Sequence, residues 1–65
     1  MPPSAKLVYR VLVYNGPMSH KELREETGLG PRTLHFALSR LKKRDIVTER
    51  VNLRDARQKI VYLTL

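Results

Sequence analysis

Sixty-five residues carrying thirteen Lys and Arg against six Asp and Glu give a net charge of +7. A chain this short makes one domain with one small core and no room for an enclosed substrate cavity. At 42% hydrophobic it is too apolar for a disordered basic tail, and no apolar run approaches the roughly 18 to 20 residues of a membrane span. The absence of Cys excludes disulfides, thiolate nucleophiles and Cys-based zinc sites, and the N-terminus lacks a signal-peptide pattern, so the chain is expected in the cytoplasm.

In chain order, Met1, Pro2 and Pro3 read with Ser4 as an extended leader over residues 1–4, Ser4 being placed to cap a first helix over 5–15. Gly16 followed by Pro17 stops it. Leu7, Val8, Val11 and Leu12 recur at helical spacing, but the same run is rich in strand formers, so a buried strand is the competing reading. Ser19 and Glu22 then form S-x-x-E, a capping box, with Met18 and Leu23 at the staple positions of a second helix over 19–27. Gly28 ends it, Leu29 supplies an apolar plug, and Gly30-Pro31 opens a third helix over 31–44. Two helices joined by a tight glycine-bearing turn outline a helix-turn-helix.

In the third helix Leu34, Leu38 and Leu41, with Ala37 beside them, make a core face. At 100° per residue the opposite face carries Arg32, Phe36, Ser39 and Lys43, flanked by His35, Arg40 and Thr33. Asp45 is expected in the left-handed position that ends this helix. Strand formers follow over 46–65, broken by a basic turn at 52–57: a β-hairpin with a long tip, in which Val61, Leu63 and Leu65 alternate with Ile60, Tyr62 and Thr64. The whole chain, 1–65, reads as one α+β domain on the winged helix-turn-helix plan, three helices followed by a β-hairpin wing.

Charge is unevenly placed along this plan. Up to Gly30 there are four basic and three acidic residues; from Pro31 onward there are nine and three. A basic surface polarised in this way draws polyanions, and nucleic acid is the first candidate. A plain solubility charge is the duller reading.

Asp55-Ala56-Arg57 followed by Ile60-Val61-Tyr62-Leu63-Thr64 resembles the wing signature of the MarR family of transcriptional regulators, in which D-x-R leads into an apolar strand closing on Leu-Thr. Residues 19–28 look like that family's second helix. Thr33-Leu34 through Leu38, Leu41-Lys42-Lys43-Arg44 and Ile46-Val47 look like its recognition helix. The resemblance covers roughly residues 5–65. It departs at Asp45, where the family usually has Gly. Relatives of that kind are dimers built on further N- and C-terminal helices, so dimerisation and effector binding do not carry over. A monomer or weak homodimer is expected, the latter through Tyr9, Val13 and Tyr14.

This implies double-stranded DNA as partner, in transcription regulation. The major groove admits one α-helix, so Arg32, Thr33, His35, Phe36, Ser39 and Arg40 are candidate base and phosphate contacts, with Lys43 on the backbone. The resemblance implies that Arg57 enters the minor groove, with Asp55 orienting it or tying the tip to its own backbone, while Arg54 and Lys59 flank phosphates. Backbone N–H groups at the start of the second helix, between Ser19 and Lys21, suit a further phosphate.

Duller readings stand beside these. Phe36 packs on the wing or marks a protein contact, and Asp55 with Arg57 is a plain hairpin ion pair. His20 and His35 have no partners at metal spacing, and Glu22, Glu25 and Glu26 read as a dipole-stabilised helix start rather than a cation site. No cofactor is expected. No nucleophile–base arrangement, phosphate loop or carboxylate pair marks an enzyme. The rival functions are a protein-interaction module within transcription or other nucleic-acid machinery, and non-specific DNA or RNA binding.

Overall fold

The computed structural model describes residues 2–64. A proline pair starts the first helix. Pro3 has its φ fixed for helix and drives the preceding residue out of the α region, so Pro2 stands extended (φ −60°, ψ 151°) as the N-cap of α1 (Pro3–Asn15). The Pro2 carbonyl accepts the first helical bond from the Lys6 N–H at 3.1 Å. Two expectations are corrected here. The extended leader over 1–4 does not reach Ser4, and Ser4 lies inside the first turn instead of capping it; Met1 is outside the described residues. Ala5, Val8 and Leu12 are buried at helical spacing, which resolves the run as helix rather than strand. Gly16 ends it at φ 78°, ψ −159°, a conformation open to glycine, with its N–H on the Leu12 carbonyl at 2.9 Å.

The next element has no counterpart in the sequence reading. Met18–Ser19 form a two-residue strand, β1, that pairs antiparallel with β3 (Lys59–Leu63), Met18 opposite Val61 and Ser19 opposite Ile60. The wing is therefore part of a three-stranded sheet of order β1-β3-β2, where β2 is Val47–Val51. The capping box forms as expected: the Ser19 hydroxyl accepts from the Glu22 N–H at 3.1 Å, and a Glu22 carboxylate oxygen accepts from the Ser19 N–H at 3.0 Å. It opens α2 (His20–Thr27), and Met18 and Leu23 are both buried as the staple. Gly28 closes α2 in the left-handed region at φ 72°.

Pro31 occupies the first position of α3 (Pro31–Lys43). This helix stops one residue earlier than expected, at Lys43, because Asp45 takes the left-handed conformation (φ 57°). The Ile46 N–H then bonds the Leu41 carbonyl at 2.9 Å and the Asp45 N–H bonds that of Lys42 at 3.0 Å, the two bonds of a Schellman closure. Ile46 packs on the core as this turn requires. The strands begin at Val47, and Leu65 lies outside the described residues. The core joins Ala5, Val8 and Leu12 of α1 to Leu23, to Leu34, Ala37, Leu38 and Leu41 of α3, and to Met18, Val47 and Val61 of the sheet. Burying these eleven side chains, at about 1.5–3 kcal/mol for each large one, is what holds α3 against α1 and leaves its other face outward.

Candidate nucleic-acid interface

With its core face committed, α3 presents the expected outward set. Arg32, Thr33, His35, Phe36, Arg40 and Lys43 are exposed and Ser39 is half-buried. Phe36 is 51% exposed, and the Arg40 guanidinium lies over its ring at 5.6 Å. A cation over an aromatic face gains about 0.5–1 kcal/mol at an exposed site, so Arg40 is drawn toward a standing position beside an apolar platform.

The wing tip is built from two turns in succession. The Asn52 side chain accepts from the Arg54 N–H at 3.0 Å, and the Asp55 carboxylate accepts from both the Arg57 N–H at 3.1 Å and Arg57 Nε at 3.3 Å. Asp55 thus both ties the tip to its own backbone and orients Arg57, whose side chain is 92% exposed. Arg54 and Lys59 are exposed on either side of it.

Between the wing and the start of α2 lies an open concavity of about 480 Å³, lined by Ser19, His20, Lys21, Arg24, Arg57, Gln58 and Lys59. The lining holds four Lys and Arg side chains and no carboxylate among the described residues. Ser19 is 4% exposed and its hydroxyl and N–H are both consumed by the capping box, so it serves this wall from within.

Behind this wall a carboxylate joins three elements. Glu49 of β2 accepts from His20 Nε2 at 2.5 Å through one oxygen and pairs with Lys42 Nζ of α3 through the other. Burial first, then the nearby Lys42, Lys59 and Arg24 charges, push the His20 pKa below the usual histidine range despite the carboxylate contact. His20 is therefore the neutral donor at neutral pH. Burial and Lys59 lower the Lys42 pKa.

A family model described as winged helix-turn-helix DNA-binding matches residues 3–48, well over half of the chain. The chain belongs to the winged helix-turn-helix DNA-binding family. Solved structures agree with the family fold. The PcaV transcriptional regulator from Streptomyces coelicolor, in complex with its natural ligand, superposes with a TM-score of 0.93 at 23% identity, over 98% of this chain and 45% of PcaV. Overoxidized AbfR bound to DNA gives 0.89 at 28% identity, over 98% of this chain and 47% of AbfR, a protein of Staphylococcus epidermidis. Bordetella bronchiseptica BpsR, whose DNA binding is regulated by 6-hydroxynicotinic acid, gives 0.88 at 23%, over 98% and 48%. These neighbours are MarR-family regulators, the family that the wing signature resembles, and the chain spans less than half the length of each. Among curated proteins no sequence matches it.

In this winged helix-turn-helix chain the predicted residues separate into three groups. The α3 set forms one outward face; Asp55 and Arg57 form one bonded tip; Lys21, Arg57 and Lys59 share the concavity. Sequence reasoning missed His20, Arg24 and Gln58 on that wall and the Glu49–Lys42 link behind it. One signal was there to read: Glu49 sits between Val47 and Val51 on the same side of a strand whose inward residue Val47 is buried. No helix among the described residues is long and apolar enough to cross a membrane.

Proposed function

We propose that the chain binds double-stranded DNA sequence-specifically, without catalysis, inside the cell, as the DNA-reading part of a transcriptional regulator. In this reading α3 lies in the major groove with Arg32, Thr33, His35, Phe36, Ser39 and Arg40 toward the bases. Lys43 meets the backbone, Arg57 enters the minor groove, and Arg54, Lys59 and the Lys21 end of α2 take phosphates. The observation that carries it is the wing tip: an Arg57 side chain 92% exposed while the Asp55 carboxylate, bonded to its Nε, fixes its direction, on a fold shared at 28% identity with a regulator solved on DNA.

The exposed flank of α1, with Tyr9, Val13 and Tyr14 at 39%, 52% and 87%, favours a protein contact in addition, either weak self-association or a partner in the transcription machinery. Sedimentation with and without duplex separates these.

Selection of bound sequences from a random duplex pool tests the main reading. It predicts one enriched short site. Arg32→Ala should then change the preferred bases by ~1–3 kcal/mol, whereas Lys43→Ala should weaken all sequences alike. Recovery of the unselected pool, with no enriched site, would contradict sequence-specific reading.

A further inference from the structure

We propose that Glu49 is a positioning residue for DNA recognition: its carboxylate, bonded at once to α2 and α3, sets the wing's place relative to the recognition helix. This rests on the DNA-binding reading above.

Position within the sheet makes Glu49 unusual. It faces Val61, which is fully buried, and follows Val47, 3% exposed, so its side chain points inward at a place where the strand pattern calls for an apolar residue. Only a tenth of it is exposed. A carboxylate placed so costs desolvation, and a buried ion pair is at best a weak source of stability against an apolar residue of the same size. What it does supply is direction. One oxygen holds His20, the first residue of α2, and the other holds Lys42, in the last turn of α3.

Two of the elements it ties, α2 and α3, carry candidate DNA contacts, and the third, β2, runs directly into the tip that holds Arg54, Asp55 and Arg57. Reading a site requires the α3 face and Arg57 to reach two grooves at a fixed spacing, while non-specific attraction depends on charge alone. The Lys42 ammonium is paired with Glu49, so its part in this arrangement is to hold the strand.

The sign of the effect tests this. Glu49→Gln keeps the shape and makes the protein more positive, so a purely electrostatic role predicts tighter binding to every duplex. Positioning predicts about tenfold weaker binding to the duplex enriched from a random pool, with binding to the unselected pool equal or tighter. Partial unfolding lowers both affinities by the same factor and leaves their ratio unchanged, so the ratio isolates positioning. Glu26→Gln, the same charge change on the exposed face of α2, should leave the ratio as it is.

If Glu49→Gln does not fold, as judged by circular dichroism, Lys42→Gln carries the test. It should lower the same ratio while hardly changing pool binding. In the folded double variant, the loss should not exceed that of the worse single one. A ratio unchanged in the folded variants would overturn the proposal. Failure of the unaltered protein to bind any duplex would instead overturn the DNA-binding reading.

Discussion

Asp55 holds Arg57 at two points, its backbone N–H and the Nε of its guanidinium, while the Arg57 side chain stands 92% exposed. The carboxylate oxygen Oδ1 is the acceptor in both bonds, at 3.1 and 3.3 Å. An exposed ion pair contributes little to stability, so the arrangement matters for aim. Arg57→Ala should leave the thermal midpoint almost unchanged and weaken binding to the preferred duplex by about 1–3 kcal/mol. Asp55→Ala should weaken it less, since removing a carboxylate beside phosphates offsets part of the lost order. Parallel titrations of the two variants measure the difference.

The two serines near helix starts have opposite fates. Ser19→Ala breaks a complete capping box and should cost about 0.5–2 kcal/mol of stability. Ser4 is inside the first turn of α1, and Ser4→Ala should be neutral or slightly stabilising through helix propensity. Denaturant unfolding of both variants checks the contrast.

Asp45 carries a left-handed backbone and a negative charge at the C-terminal end of α3. Both are unfavourable. Asp45→Gly should raise stability by roughly 0.5–1 kcal/mol and also tighten binding to duplex DNA, measured by denaturant unfolding and by titration at fixed salt.

His20 makes folding depend on pH. Its folded pKa lies below the ordinary value because of burial and the neighbouring cations, so on acidification the unfolded chain takes up its proton first. Stability from this group is fully present above about pH 6.5 and is lost as pH falls through the folded pKa. Thermal unfolding between pH 8 and 5.5 should show this decline, and His20→Gln should flatten it.

Much of the architecture was legible because its signals are local. The capping box, the left-handed Asp45 and the Leu34, Leu38, Leu41 stripe each depend on residues within two turns of one another. The miscast Ser4 shows the limit of such reading: a good capping side chain loses to a proline pair that fixes the helix start ahead of it. β1 was invisible because two residues have no periodicity, and its partner Val61 is supplied from the far end of the chain. The outward side chains of α3 could be named from angle alone. The Glu49 link could not, since it needs the register of β2 and the packing of two helices at once.

Salt-dependent titration of the protein with its selected duplex tests the central claim most directly. Contacts to ~4–6 phosphates predict a log–log slope of affinity against salt of about −4 to −5. No measurable duplex binding at low salt, or a slope near zero, would contradict it.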